Sequence, residues 1–266
     1  MAWEPDVASS TPARQGPAPV VTYRHVLRRR LEEYAPVIRR LLAPTGVEES
    51  TFLAWVANAT RADPDKWAKV EPETLLGAAL RCAQVGLAPN DGTSAAWIIP
   101  YGREATFQLG YRGVLELARR AVPGIRFEGH PVYPGDRFVV DYGNPGAFEH
   151  VPYMARSPRR PRGGEPDRWY VVATWPEGAR QIEVIDREEA ERHRGYSRAP
   201  GGDLWAKSYD AAALKSAVWN MRRWLPDTPA MGRATLADGA VADVRDMADE
   251  PDELAPDELP AGEPDG

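Results

Sequence analysis

The sequence predicts an α+β fold, with a meander of antiparallel strands carrying helices on one side and a helical lead-in before it. Three observations carry this. Apolar residues recur at helical spacing over the first third of the chain and again near its end. The stretch between reads as short strands, several of them paired across Gly- and Pro-containing turns. An apolar content of 43% with nine Trp in 266 residues supplies one sizeable core.

Residues 1–20, with Pro5, Pro12, Pro17 and Pro19 among small residues, read as a disordered leader. Residues 21–226 read as the folded unit. From Tyr23 to Leu42 an amphipathic helix is expected, with Leu27, Leu31, Tyr34, Ile38 and Leu41 on one stripe and a bend at Pro36. A second helix, Glu48 to Thr60, carries Phe52, Trp55, Val56 and Ala59 inward; a third, Pro72 to Val85, ends at a capping Gly86. Strands Ala95–Tyr101 and Ala105–Leu109 flank a short Gly-Arg-Glu loop. Gly110 and Gly113 bracket a strand-to-helix turn, and Val114–Ala121 continues as helix, with Val114, Leu115 and Ala118 on its buried face. Ile125–Tyr133 and Arg137–Tyr142 form two more strands, and a Pro/Arg/Gly-rich loop covers Ala155–Arg168. Trp169–Trp175 and Arg180–Ile185 form a further hairpin. Asp186 with Glu189 marks a capped helix start. Asp203 caps a long helix running to Trp224, which Pro226 stops. Residues 227–266 read as a disordered acidic tail.

The net charge of −6 hides a segregation. Residues 1–226 hold 31 basic and 27 acidic groups, a net of +4; residues 227–266 hold 2 and 12, a net of −10. A basic body with an acidic tail suits a nucleic-acid protein. The tail has three readings, a single-strand mimic that folds back over the basic groove, a site that recruits a basic partner, and a solubilising extension. Of the 33 basic residues 29 are Arg, which forks onto phosphate and stacks on bases. A single cysteine, Cys82, excludes an internal disulfide framework and a Cys-rich zinc site. Without a membrane-length apolar run or a signal-peptide core, the chain is expected in the cytoplasm.

Two constellations carry candidate chemistry. The first runs from Tyr101 to Arg120 and holds Tyr101, Arg103, Phe107, Gln108, Tyr111, Arg112, Arg119 and Arg120. The helix start after Gly110 offers unpaired N–H groups to an anion, and the aromatic and guanidinium groups suit bases and backbone. The alternative is a glycine turn with Phe107 in the core; Phe107 and Gln108 point to opposite faces, so only one shares the surface of the helix start. The second is the long helix, where Lys215, Trp219 and Arg222 form a stripe with Arg223 beside it, parallel to the apolar Leu214, Val218, Met221 and Leu225. A strand could lie along it, or it is a solvated helix face. His25, His130, His150 and His193 lack metal-ligand spacing, and a structural hydrogen bond is the expected role of each. No P-loop occurs, and none of the four Lys has Asp or Glu two positions before it, so the acid-x-Lys element of many nucleases is missing.

These residues form an ordered series that resembles the RecT family of phage single-strand annealing proteins. The series opens with Leu75-Leu76-Gly77-Ala78, Ala83-Gln84-Val85-Gly86-Leu87 and Pro89-Asn90. It continues through Ile99-Pro100-Tyr101, Phe107-Gln108-Leu109-Gly110-Tyr111-Arg112-Gly113 and Leu117-Ala118-Arg119-Arg120. Val132-Tyr133, Asp136, Phe138, Tyr142-Gly143, His150 and Pro152 follow, and Trp205, Tyr209, Lys215-Ser216 and Leu225-Pro226 close it. The chain departs from the family at Trp219 and Asn220, where further basic residues are usual, at Ser216, where Thr is usual, and in its acidic tail.

The resemblance implies ATP-independent binding of single-stranded DNA and annealing of complementary strands, with no cofactor required; any Mg²⁺ dependence of binding is left open. It implies a homo-oligomer, ring or helical filament, that holds the strand and the annealed duplex intermediate in a basic groove. It places the protein in the bacterial host of a phage or prophage, working with a 5′→3′ exonuclease; a host single-strand-binding protein is a further candidate partner. The DNA-contacting set is then the residues of both constellations together with Trp205, with no catalytic or metal-binding residue. Two other classes stay open: a metal-dependent nuclease built on Asp136, Asp141, Glu149 and His150, and an adaptor that contacts only proteins.

Overall fold

The computed structural model describes residues 23–61, 63–144, 147–153, 164–197 and 200–239; the expected leader, most of the Pro/Arg/Gly-rich loop and the acidic stretch from residue 240 lie outside the described residues. The architecture is α+β.

Four helices lead in: α1 (Tyr23–Glu33), α2 (Ala35–Leu42), α3 (Glu49–Ala59) and the short α4 (Pro64–Trp67). The single helix expected to Leu42 is two, parted at Tyr34, because Pro36 in the first turn of α2 cannot donate to the preceding turn. On α3, Phe52, Val56 and Ala59 are buried, but Trp55 is only half-buried. It stands at the edge of the stripe that Phe52 and Val56 define.

The centre of the fold is α5 (Pro72–Val85), buried along most of its length, with α1, α2 and the later hairpin packed around it. Gly86 ends it in the left-handed region (φ 62°), as a C-terminal cap requires, and a Cβ there would stand 2.6 Å from Thr45 Cβ.

Strands β1 (Ala96–Tyr101) and β2 (Glu104–Leu109) pair with Ile98 opposite Phe107. Tyr101 pairs with Glu104, so the turn is the two residues Gly102-Arg103, with Gly102 at φ 63°. Helix α6 (Tyr111–Ala121) starts earlier than expected and takes the glycine turn into its first turn; it buries Val114, Leu117 and Ala118, leaving Leu115 half-buried.

Strands β3 (Arg126–Val132), β6 (Arg168–Thr174) and β7 (Arg180–Asp186) make an antiparallel sheet in the order β3-β6-β7. Strands β4 (Arg137–Val139) and β5 (Glu149–Val151) form a separate two-stranded sheet. Alternation gives the three-stranded sheet two apolar faces. Trp169, Val171, Ala173 and Ile185 join the main core; Val132, Tyr170, Val172 and Ile182 form a second cluster, against which Phe138, Val140 and Phe148 pack.

Helix α7 (Arg187–Tyr196) begins at Asp186, whose side chain accepts from Glu189 N, the expected cap. The long helix is broken into α8 (Asp203–Lys207), with Gly202 rather than Asp203 at its N-cap position, and α9 (Tyr209–Met221), followed by a 3-10 turn over Arg222–Trp224. Helix α9 lies across β6 and β7 on the small residues Ala212, Ala213 and Ala217, so Leu214 stays half-buried instead of forming the core stripe. Beyond Pro226, where a disordered tail is expected, the chain forms α10 (Pro229–Ala237), which buries Met231, Ala234 and Ala237 against α5, β2 and α6. Asp238 accepts from Leu109 N and Gly239 N donates to Phe107 O, so the folded unit reaches at least residue 239.

Candidate nucleic-acid interface

The turn between β2 and α6 is built for close approach. Gly110 has φ −78°, a value open to any residue, yet a Cβ on it would stand 1.9 Å from Ser94 O; one on Gly113 would stand 2.2 Å from Ala95 O. Both glycines are therefore spent on packing the helix start against residues 94–95, and Gly110 N donates to Ala95 O. Asn90 holds that segment in turn, accepting from Ile98 N (2.8 Å) and donating to Ile98 O (3.3 Å).

Phe107 is 1% exposed and sits among the core side chains, so it cannot serve as a stacking surface; the period-two alternation turns Gln108 outward in its place. Gln108 Nε2 donates to Tyr101 Oη across the hairpin (2.9 Å), which makes one polar and aromatic patch of the two. At the tip, Arg103 donates through Nε and Nη2 to Glu71 Oε1, an exposed pair that ties the hairpin to the head of α5.

The three arginines of α6 have different duties. Arg120 donates to Val85 O and Gly86 O, the last carbonyls of α5, and to Glu116 Oε1 (3.0, 3.1 and 3.1 Å), so its donors serve the fold. Arg112 donates to Tyr111 Oη (3.0 Å) and Thr93 O (3.4 Å), and Arg119 lies 5.5 Å from the centre of the Phe127 ring. Neither has an acidic partner among the described residues. Tyr111, Arg112, Arg119 and Arg120 share a cleft of about 610 Å³ with Trp55 of α3 and residues 86–95.

The α9 stripe lies at another place. Lys215 and Trp219 line a cleft of about 350 Å³ with Trp205, His193 and Tyr196. Lys215 has no hydrogen-bond or ion-pair partner among the described residues. Trp205 is 8% exposed and packs on Tyr209, so it contributes an edge rather than a free face. Arg222 stacks on Trp219 at 5.5 Å, and its Nε is buried with no hydrogen-bond partner among the described residues. Arg223 donates to Glu183 Oε1 at 3.0 Å. Burial pushes the Glu183 carboxyl above the usual range despite that guanidinium, with Glu189 adding to the rise.

With Phe107 in the core, the other candidate residues fall into three groups, the hairpin patch, the α6 cleft and the end of α9, where Lys215, Trp205 and Trp219 line one cleft and Arg222 and Arg223 a neighbouring one beside Leu225 and Met231. Trp55, His193 and Tyr196 join them without any local sequence signal, since each reaches its cleft from an element distant in the chain.

The acids considered for a metal are otherwise engaged. Asp136 accepts from Tyr133 N, Tyr153 N and His150 Nε2 (2.9, 2.7 and 3.2 Å). Burial alone would raise its carboxyl, but these bonds outweigh it and hold it below the ordinary value. His150 Nδ1 meets Tyr170 Oη at 3.0 Å, the structural role expected of it. Asp141 accepts from Gly143 N and Asn144 N, and Glu149 pairs with Arg137. Among the described residues no three His, Cys, Asp or Glu gather as a metal site, and no helix is long and apolar enough to cross a membrane.

The model of the RecT family matches residues 51–254, a span from α3 through α10 and beyond. Among curated proteins, the chain is 26% identical over 180 residues to Protein RecT of Escherichia coli (strain K12), covering 62% of this chain and 62% of that protein. It is 25% identical over 222 residues to the uncharacterized protein YqaK of Bacillus subtilis (strain 168), covering 81% of this chain and 73% of that one. The chain thus spans less than two thirds of the E. coli protein's length.

Proposed function

Since the chain belongs to the RecT family, we propose that it binds single-stranded DNA without reading its sequence and anneals complementary strands in phage-type recombination, independently of ATP. The observation that carries this is the α6 cleft, where the guanidiniums of Arg112 and Arg119 stand without acidic partners beside Tyr111 and Trp55.

Two strands repel through their phosphates, and each is hindered by its own base pairing. Cations along the backbone release counterions and reduce that repulsion. Aromatic contacts hold bases away from internal partners, and Watson–Crick pairing then selects the complement. In this reading Arg112, Arg119, Lys215 and Arg222 contact backbone. Tyr101, Gln108 and Tyr111 supply polar and ring contacts, and Trp219 presents a stacking face beside Lys215. Arg103, Arg120 and Arg223 act through the structure that their carboxylate and carbonyl partners hold. Three separated groups suit a strand that passes across neighbouring subunits of a ring or filament, the form in which the protein would also hold the annealed intermediate. A 5′→3′ exonuclease would supply the strand, and a host single-strand-binding protein would precede this one on it.

The test mixes two complementary labelled oligonucleotides with purified protein, without nucleotide, while pairing is followed by fluorescence and the assemblies are imaged. Faster pairing than in buffer supports the reading; no acceleration overturns it. Cleavage of labelled DNA with Mg²⁺ or Mn²⁺ would instead favour a nuclease.

A further inference from the structure

We infer that the cleft between α3 and α6 is a nucleobase site, with the indole of Trp55 as its stacking wall. The inference rests on the proposed single-strand binding and names a residue and a contact beyond it.

The cleft has a volume of about 610 Å³, within the usual range for small ligands. Trp55 stands off the buried stripe of α3 and is held edge-on by Phe52, with ring centres 6.5 Å apart and planes at 74°. It makes no hydrogen bond among the described residues that would account for its place at the rim. An indole left half-exposed forgoes much of the burial a core position would give it.

Across the cleft, α6 presents Arg112, Leu115, Glu116 and Arg119, which share one helix face by their spacing. Glu116 is paired with Arg120, and Asp91 accepts both the N–H and the hydroxyl of Thr93. That leaves Arg112 and Arg119 as the cations at either end of an apolar step. A flat ring with apolar faces and an attached phosphate matches this arrangement. An acidic peptide would satisfy the cations but leave the indole uncovered. A base inside a duplex already has both faces covered by its neighbours, so this contact belongs to the single strand.

The experiment compares the full chain with Trp55→Ala and Trp55→Phe, using fluorescence anisotropy with a thymidine oligonucleotide and an abasic oligonucleotide of equal length across a salt series. Trp55→Ala is expected to weaken binding of the base-bearing strand about 5- to 150-fold. The salt slope should stay unchanged, because no phosphate contact is lost. The preference for the base-bearing over the abasic strand should collapse, and Trp55→Phe should keep most of it. A strand carrying 5-iododeoxyuridine should photo-crosslink to residue 55 in the parent. The inference is overturned if a folded Trp55→Ala protein binds the thymidine strand as the parent does, or loses both strands equally. It is also overturned if the crosslink maps away from the cleft, or if the parent binds the abasic strand as tightly as the base-bearing one. A parent that binds no single strand at low salt would remove the functional reading itself, a result distinct from all of these.

Discussion

Replacing Gly110 with alanine separates two roles for the turn that opens α6, a cradle for phosphate and a point of close packing. The added Cβ would lie 1.9 Å from Ser94 O and 2.9 Å from Ser94 C. Ordinary contact would require the two segments to part by about 1.5 Å. The opposing segment is poorly placed to retreat. Gly110 N is bonded to Ala95 O at 2.9 Å, Asn90 grips Ile98 at both backbone groups, and Ser94 already holds φ 62°. Overpacking of this kind costs about 1–3 kcal/mol, and the strained Gly110–Ala95 bond about 1 kcal/mol more. A loss of about 3 kcal/mol would lower the midpoint of thermal unfolding by about 6–12 °C in a protein of this size. Urea and thermal unfolding measure it, with single-strand binding recorded at a temperature where both proteins are folded. The packing account expects Gly110→Ala to be clearly destabilised, with Gly113→Ala behaving alike because its Cβ would meet Ala95 O and Leu109 Cδ1. A Gly110→Ala protein as stable as the parent but poor in DNA binding would refute it and restore the phosphate cradle.

The arginines of α6 should separate in the same assays. Arg112→Ala and Arg119→Ala should each lower the salt slope of single-strand binding by about 0.7 with little change in stability. Arg120→Ala should instead lose about 1 kcal/mol of stability, since its bonds cap α5, with its salt slope unchanged. Truncation after Pro226 removes α10 and the Asp238 and Gly239 bonds to β2, and should cost about 4 kcal/mol in urea unfolding. Truncation after Gly239 should leave the midpoint in place and raise single-strand affinity most at low salt; equal affinity at every salt returns the acidic stretch to a solubilising role. Asp136 has a folded pKa below its unfolded value, so its contribution is present above about pH 4 and is lost as pH falls through the folded pKa. Asp136→Asn should therefore cost about 2 kcal/mol at neutral pH and flatten the acid limb of a stability–pH curve; an unchanged limb would show that other carboxylates set it.

Local patterns in the chain were sufficient for the family, the hairpins and several helix ends, but not for the break between α8 and α9 or for α10, which lies in the stretch read as a disordered tail. Period-two alternation specified the hairpins, the Asp186–Glu189 spacing specified a helix start, and Gly86 marked the end of α5, because each depends on residues within one turn of one another. The ordered series of short motifs identified the RecT family for the same reason, since such motifs are read without knowing what they touch. Tertiary structure decided which face of each element met the core and where each donor was spent. Alternation showed that Phe107 and Gln108 differ, but only the packing of β2 on α5 turned Phe107 inward. Arg120 looks like Arg119 in the sequence; carbonyls 34 and 35 positions earlier in the chain claim its guanidinium. Trp55 fits a core stripe by spacing, yet α3 leaves it at the rim of a cleft whose other wall is α6. A side chain's partners come from segments brought together by burial of apolar surface across the whole fold, and that closure is not written at any one position.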